Sequence, residues 1–402
     1  MKKSTPPAER PPFAWPSGFQ AAGIHAGIKP DKKDLALLTS QTTATVAGTF
    51  TTNQVQASPV KLCRERLAGE KMRALIVNSG NANACTGPKG RRDAEATGQQ
   101  VAEALGLDPG EVFVCSTGPI GVPLPMSTLS RGIPLCVDAL RDDGAADFAS
   151  AIMTTDTFPK IASEQFPIGD QTVTISGIAK GAGMIEPKMA TMLAFLVTDA
   201  AVDPAALQTA LSQAVALSFN RITVDGDRST NDTVLLFANG TAGHEPLDAS
   251  HPDWPAFNDA LRRVTLSLAL DIVRDGEGAT KVVTVHVRGA RNDEEAEAAA
   301  RAVANSSLIK TSWAGGQANW GRVMDALGYS RAVVEEECVE IDYDTLPAVR
   351  HGIAADTAQV DLDRVVAQDR FTLGIRLNLG EGEAIMYSCD TTEEYVRINV
   401  EE

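Results

Sequence analysis

Thr191 is the residue whose type and setting most strongly suggest chemistry. It lies in the stretch Lys188-Met-Ala-Thr-Met-Leu-Ala-Phe195, directly after Ala190. Threonine is a weak nucleophile unless a base lies beside its hydroxyl, and one way to supply that base is to free the residue's own α-amino group. Cutting the peptide bond between Ala190 and Thr191 would do this, because the new terminal amine could accept the hydroxyl proton.

The residues around Thr191 suit such a cut. Ala190 is small, Gly181 and Gly183 precede it in a flexible run, and the apolar segment 192–197 predicts a buried strand after it. The alternative is that Thr191 simply starts this strand, since threonine favours β-structure. The residue pattern alone leaves both interpretations open.

The elements that must position this segment alternate between strands and helices, which predicts an α/β or α+β chain. Strands are predicted within 23–50 and at 73–78, 112–118, 192–197, 234–237, 282–287 and 375–379, and helices at 93–105, 254–273 and 294–303. The region 126–147 is predicted to be helical but broken around Gly132 and Pro134. Asp203 and Pro204 predict the start of another helix, with an apolar stripe formed by Leu207, Ala210, Leu211, Ala214 and Val215.

Composition excludes several classes of protein. A formal net charge of −16 over 402 residues argues against a nucleic-acid partner, and a small anionic substrate would need a few local cations. No run of 18 apolar residues predicts a membrane span, and segment 1–22, which lacks the apolar part of a secretory signal, is expected to be a disordered arm. Six widely spaced cysteines without zinc-ligand spacing indicate reduced thiols and a cytoplasmic location.

The segment from Lys180 to Leu193 closely resembles the self-cleavage motif of the ornithine acetyltransferase (glutamate N-acetyltransferase) family of arginine biosynthesis. Matching motifs occur in the family's order from about Gly23 onward. They are residues 27–35, 78–87, 116–118, 153–160, 219–227, 273–281 and 319–322. Seven motifs in one order are far more specific than any single one.

The resemblance implies a layered α/β sandwich whose precursor cuts itself before Thr191. The products would be an α chain, residues 23–190 after the arm, and a β chain, 191–402, joined as an α2β2 heterotetramer. The enzyme would carry acetyl from N-acetylornithine to glutamate through an ester on Thr191. Some members of the family also use acetyl-CoA, and the family needs no metal or redox cofactor.

The resemblance also assigns site residues. Thr117 and Gly118 match the oxyanion-hole pair, where Ser-Thr-Gly would otherwise be an ordinary turn at a strand end. Thr154, Lys180 and Glu277 match substrate-binding positions, although a lysine beside glycines and a glutamate between glycines are by default solvated. Asn399 also matches a substrate-binding position of the family. The loop 78–83 lacks the spacing of a phosphate-binding loop and is expected to form a structural turn near the site.

The sequence departs from the family pattern at several positions. Glu186 and Lys188 replace more usual residues before the cut, and Lys188 could either alter the rate of processing or pair with Glu186 two residues away. Arg228 stands where a smaller polar residue is usual. The end of the sequence, Arg397-Ile-Asn-Val-Glu-Glu402, lacks the hydroxyl residue expected after Asn399. The changed C-terminus and Arg228 motivate one rival, a relative acting on another N-acyl amino acid. An N-terminal-nucleophile hydrolase is a second rival. A non-catalytic binding protein is a third, which is disfavoured because the cleavage pair, the oxyanion pair, Lys180 and Glu277 are all present.

Overall fold

The computed structural model describes residues 12–186 and 192–401, and within them the chain forms two units with separate sheets. The larger unit comprises the described residues up to 220 together with 227–272, and the smaller comprises 221–226 and 273–401. The predicted α/β (α+β) class is confirmed, since each unit combines one β-sheet with several helices. Among the described residues, no helix is long and apolar enough to cross a membrane.

The larger unit contains an eight-stranded sheet. Its strands are β1 (Phe19–Ile24), β2 (Leu35–Phe50), β3 (Lys71–Ser79), β4 (Val112–Thr117), β5 (Lys160–Ile168), β6 (Gln171–Lys180), β7 (Leu193–Thr198) and β8 (Thr233–Ala238). The order across the sheet is β4-β3-β2-β8-β7-β6-β5, and β1 pairs with the first part of β2. The β3–β4 and β7–β8 pairs are parallel, and the others are antiparallel.

Both faces of this sheet are buried. Successive side chains of a strand point to opposite faces, and along β2 Leu35 and Leu37 join one apolar cluster while Ala36 and Leu38 join another. The helices of this unit are α1 (Ser58–Leu67), α2 (Gly87–Leu105), α3 (Met126–Asp138), α4 (Ala145–Ala151), α5 (Pro204–Ala216) and most of α6 (Trp254–Arg274). Side chains from α2 and α3 line the cluster that holds Leu35, and side chains from α4 line the other.

The smaller unit has a six-stranded sheet in the order β12-β11-β10-β13-β9-β14. Its strands are β9 (Val282–Ala290), β10 (Glu340–Tyr343), β11 (Leu346–Arg350), β12 (Ile353–Ala354), β13 (Arg370–Arg376) and β14 (Gly382–Cys389). Its helices are α7 (Asp293–Asn305), α8 (Ser307–Ala314), α9 (Trp320–Gly328), α10 (Gln359–Val366) and α11 (Glu393–Glu401). Trp313, Tyr343 and Phe371 lie in its core.

The helix predicted from Asp203 and Pro204 is confirmed as α5. The Asp203 carboxylate accepts hydrogen bonds from the backbone N–H groups of Ala205 and Ala206, so it caps the first turn. All five residues of the predicted apolar stripe are buried.

Three predictions about individual segments were wrong. The arm predicted over 1–22 does not extend to residue 22, because β1 starts at Phe19, whose side chain is buried in the core. Helix α3 runs through Gly132 and Pro134 without the predicted break, and the missing side chain at Gly132 allows close packing against Ala26. The strand predicted at 375–379 ends at Arg376, because Asn378 adopts a left-handed conformation with φ of 57°.

Candidate active site

In the larger sheet, the end of β6 lies side by side with the starts of β7 and β8. Lys180 ends β6 and pairs with Leu193, which starts β7, and Leu193 in turn pairs with Thr233, which starts β8. Residues 181–186, Met192 and the segment 229–232 therefore leave or enter the sheet at the same edge. The side chains described below gather at this edge.

Lys180 brings together three of the predicted site residues. Its buried ammonium group donates hydrogen bonds to the hydroxyl oxygen of Thr154, at 2.8 Å, and to that of Thr117, at 3.3 Å. Because an ammonium group can only donate, both hydroxyl oxygens accept, and each hydroxyl keeps its own proton to donate elsewhere. The Thr117 hydroxyl therefore keeps a proton for a further acceptor, and the oxyanion role that the sequence resemblance implies for it stays a prediction.

A buried carboxylate that the sequence analysis did not single out organises this cluster. One oxygen of Asp156 accepts from the Lys160 ammonium and from the Gly181 backbone N–H, both at 2.7 Å. The other accepts from the Thr154 N–H at 3.0 Å and lies 4.0 Å from the Lys180 nitrogen. Burial by itself would raise the pKa of Asp156, but the charges of Lys180 and Lys160 and these hydrogen bonds outweigh it and hold the pKa well below its usual range.

The residues around Asp156 carry a net positive charge, which favours binding of an anion. Lys160 and Lys180 carry two positive charges against the single negative charge of Asp156. A third cation, Lys29, donates to the backbone carbonyl of Met153 at 3.0 Å, next to Thr154; burial lowers its pKa, and the nearby buried Asp34 opposes its charge. Three lysines against Asp156 and Asp34 still leave one net positive charge. The local cations that the sequence analysis required for an anionic substrate are therefore present in a chain whose net charge is −16.

The turn after β4 fixes the backbone of the predicted oxyanion pair. The Asn81 N–H donates to the Thr117 carbonyl at 3.0 Å, so the loop 78–83 forms a turn beside Thr117, as predicted. Gly118 has φ of 138°, and a Cβ atom there would lie 2.4 Å from the Asn81 nitrogen. Only glycine fits this position.

Asp232 and Asn231 also lie at this edge and were missed by the sequence analysis. The Asn231 amide donates to the carbonyls of Ala82 and Ser116, at 2.6 and 2.8 Å, which ties the end of β4 to the segment before β8. One carboxylate oxygen of Asp232 accepts from the Met192 N–H at 2.6 Å. The sequence signal for both residues was the polar run Ser229-Thr-Asn-Asp-Thr233, which is unusual directly before a buried strand.

The smaller unit holds the other two predicted substrate-binding residues as a pair. The Asn399 amide donates to the Glu277 carboxylate at 2.7 Å and to the Tyr395 carbonyl at 2.9 Å. Glu277 is buried, with 7% of its surface exposed, so the default expectation of a solvated loop glutamate does not hold. The pair would suit a cationic group, since Asn399 leaves a carboxylate oxygen for a second donor.

The residues of the proposed cut, Ala190 and Thr191, lie outside the described residues, and so does Lys188. Both alternatives for Lys188, pairing with Glu186 and an effect on processing, therefore stay open. Glu186 itself is buried, and one of its carboxylate oxygens lies 3.9 Å from the guanidinium of Arg228. Two of the departures from the family pattern are thus neighbours in space.

A family model, curated proteins and a solved structure all match this chain to proteins named ArgJ. The model of the ArgJ family matches residues 20–401. The arginine biosynthesis bifunctional protein ArgJ of Geobacter sulfurreducens is 50% identical over 386 residues, covering 96% of this chain and 98% of that protein. The protein of the same name from Symbiobacterium thermophilum is 50% identical over 387 residues, covering 96% of each. The crystal structure of the arginine biosynthesis bifunctional protein argJ from Bacillus halodurans, 41% identical, covers 52% of this chain and 98% of that chain, with a TM-score of 0.50.

Proposed function

This chain belongs to the ArgJ family, and we propose that it transfers an acetyl group from N-acetylornithine to glutamate through an ester on Thr191. The observation that carries the proposal is the position of the Lys180 ammonium between the hydroxyls of Thr117 and Thr154. Acyl transfer needs a donor for the oxyanion and a cation for the substrate carboxylate, and this cluster supplies both.

The nucleophile is made by cutting the chain between Ala190 and Thr191. The second product would be the 212 residues from 191 to 402. The Bacillus halodurans structure supports this division, because 98% of its chain is matched by 52% of this one. That solved chain is therefore only about half as long as this chain, which is the length expected for a product of the cut.

The transfer then takes two steps. The hydroxyl oxygen of Thr191 bonds to the acetyl carbonyl carbon of N-acetylornithine while the terminal amine of Thr191 accepts the hydroxyl proton. The carbonyl oxygen becomes an oxyanion that accepts from the Thr117 hydroxyl and the Gly118 N–H. The bond from carbon to ornithine nitrogen breaks, and this nitrogen takes the proton. The amine of glutamate next attacks the ester by the reverse route and leaves as N-acetylglutamate.

Substrate binding follows from charge. Lys180 and Thr154 bind the α-carboxylate that N-acetylornithine and glutamate share, because the cluster around Asp156 carries a net positive charge. Glu277, held by Asn399, binds the side-chain ammonium of N-acetylornithine. Since glutamate lacks this ammonium, Glu277 distinguishes the acetyl donor from the acceptor.

The two chains would stay together as an α2β2 heterotetramer in the cytoplasm, where the six free cysteines would remain thiols. The chemistry uses no metal or redox cofactor. The relatives are named bifunctional, and acetyl-CoA is the second acetyl donor that we propose for this chain.

The test is product analysis with purified protein. N-acetylornithine and glutamate together should give ornithine and N-acetylglutamate in equal amounts, and acetyl-CoA with glutamate should give N-acetylglutamate. A panel of other N-acyl amino acids serves as the control for specificity, and activity confined to one of them would overturn the substrate assignment. Equal release of acetate and ornithine in the absence of glutamate, with no transfer in its presence, would instead establish a hydrolase.

A further inference from the structure

Lys29 lies beside Thr154 and keeps two hydrogen-bond donors for a ligand. Its ammonium group donates to the Met153 carbonyl at 3.0 Å, and within the described part of the chain it has no other hydrogen-bond partner and no ion pair. Because an ammonium group carries three N–H bonds, two remain available. The substrate contacts proposed above make no use of this half-buried cation.

The loop that carries Lys29 is held in a fixed position. The buried carboxylate of Asp34 accepts hydrogen bonds from the backbone N–H groups of residues 26–29, at 2.6–3.1 Å. The side-chain stem of Lys29 lies against Gly80, where an added Cβ atom would be 2.8 Å from the Lys29 Cγ. Asp34 therefore positions the backbone of Lys29, and Gly80 leaves space for its side chain.

The charge of Lys29 is poorly solvated. Burial lowers the pKa of its ammonium group, and the charges of Lys32 and Lys180 act in the same direction, against those of Asp34 and Asp156. A carboxylate that binds a poorly solvated ammonium group gains more than it would in water, because electrostatic interactions are stronger where the local dielectric is low. The surroundings of Lys29 thus favour an anionic ligand.

Lys29 and Lys180 bind neighbouring oxygen atoms of one segment. Lys29 donates to the Met153 carbonyl, and Lys180 donates to the Thr154 hydroxyl at 2.8 Å. Five covalent bonds join these two oxygens, so they lie within about 6 Å of each other and the two ammonium nitrogens within about 12 Å. Extended glutamate has its two carboxylates about 5 Å apart, and two nitrogens that bind its ends are about 12 Å apart. The spacing therefore suits glutamate.

We propose that Lys29 binds the side-chain carboxylate of glutamate and so selects the acetyl acceptor. This inference rests on the proposed function, in which Lys180 and Thr154 bind the α-carboxylate and Glu277 binds the side-chain ammonium of N-acetylornithine. Glu277 repels a side-chain carboxylate, so the acceptor needs a cation of its own. Lys29 supplies it and takes no part in making or breaking bonds.

The experiment compares Lys29→Met with wild type in fully cut protein. The substitution keeps the apolar stem and removes the charge, so KM for glutamate should rise about 10- to 100-fold while KM for N-acetylornithine stays unchanged. Glutamine serves as an acceptor of similar shape without the side-chain charge. The ratio of kcat/KM for glutamate to that for glutamine should fall by a similar factor in Lys29→Met.

Two further variants serve as controls. Lys32→Met removes a charge from an exposed side chain of the same loop, and both of its KM values should equal those of wild type. Lys29→Arg keeps the charge, so its KM for glutamate should lie closer to wild type than that of Lys29→Met. A fault in folding would lower activity with both acceptors alike and would leave the ratio for glutamate and glutamine unchanged.

Three results would overturn the proposal. Equal increases in KM for glutamate and N-acetylornithine would mean that Lys29 acts on the shared α-carboxylate or only through the structure. An unchanged ratio for glutamate and glutamine in Lys29→Met would exclude contact with the side-chain carboxylate, and a similar effect of Lys32→Met would indicate overall charge. A wild-type protein that makes no N-acetylglutamate from N-acetylornithine would contradict the proposed function itself, so the two failures are distinguishable.

Discussion

The ammonium group of Lys180 lies 2.8 Å from the hydroxyl oxygen of Thr154, although 26 residues separate them in the sequence. Thr154 is held in turn through its backbone N–H by Asp156, which also binds the N–H of Gly181. A single buried carboxylate therefore positions the backbone on both sides of this contact. The arrangement predicts separate effects for the residues that touch substrate and for those that hold them.

Replacing Lys180 should weaken binding of both amino-acid substrates. In Lys180→Met the substrate carboxylate loses a charge-assisted hydrogen bond worth about 1.5–3 kcal/mol, so KM for glutamate and for N-acetylornithine should rise about 10- to 100-fold. Steady-state kinetics of fully cut protein measures this. The exposed Lys89→Met is the control, and an unchanged KM in Lys180→Met would exclude Lys180 from the carboxylate site.

Replacing Lys160 should lower the free energy of unfolding. Its ammonium pairs with Asp156 in full burial, and removing one partner of such a pair typically costs about 3–5 kcal/mol. We expect Lys160→Met to lose this much unfolding free energy in urea, and the double variant Asp156→Asn/Lys160→Met to recover part of it, because no unpaired buried carboxylate remains. A loss below about 1 kcal/mol in the single variant would show that Lys180 alone satisfies Asp156.

Gly118→Ala should abolish most acetyl transfer. The added Cβ would lie 2.4 Å from the Asn81 nitrogen and displace the Gly118 N–H from the oxyanion, and loss of one such donor typically lowers kcat about 100- to 1000-fold. Gly121→Ala is the control, because Gly121 also has positive φ but no atom within 4 Å of an added Cβ. Similar kcat values for the two variants would argue against a role for the Gly118 N–H.

Glu277→Gln should affect one substrate only. With the carboxylate neutralised, the side-chain ammonium of N-acetylornithine loses its partner, so KM for this donor should rise at least about 10-fold while KM for glutamate stays unchanged. Separate titration of the two substrates checks this, with the exposed Glu393→Gln as control. Equal increases in both KM values would mean that Glu277 acts through the structure and not through the ammonium.

The raised pKa of Asp232 predicts how stability depends on pH. The folded protein keeps a proton that the unfolded chain releases above the ordinary pKa of 3.8, so stability falls as pH rises from there to the folded pKa. Asp232→Asn removes this slope. In the uncut Thr191→Ala background, its unfolding free energy relative to the parent should therefore rise with pH above about pH 4, by up to about 1.4 kcal/mol per pH unit, until the folded pKa is reached. A difference that stays constant with pH would show that Asp232 is charged when folded.

The sequence predicted elements whose signals are local. The caps and periodicity of α5 lie within one helix, and β4 and β7 lie close to the apolar runs predicted for them. The hairpin of β5 and β6 was missed, although Gly169 and Asp170 form the two-residue turn between these strands. The alternation of polar and apolar residues in β5 is weak, which explains the omission.

The site was predictable only through the family resemblance. Thr117 and Lys180 are 63 residues apart, and no spacing rule joins residues that meet through sheet pairing. Asp156, Lys160 and Asp232 were missed because charged residues are rarely fully buried, and a short polar run in the sequence indicates a solvated loop. Their burial becomes visible only when the strands that bracket them are placed side by side.

The central claim is that Thr191 carries the acetyl group, and the intact mass of the separated chains tests it most directly. Wild-type protein should give two chains of about 20 and 22 kDa, the shares of its 42.4 kDa expected from a cut before residue 191. N-acetylornithine without glutamate should add one acetyl group to the chain that begins at Thr191, and glutamate should remove it. Thr191→Ala should remain a single, unacetylated chain. An active wild-type protein that stays uncut, or that carries the acetyl group on a residue other than Thr191, would contradict the account.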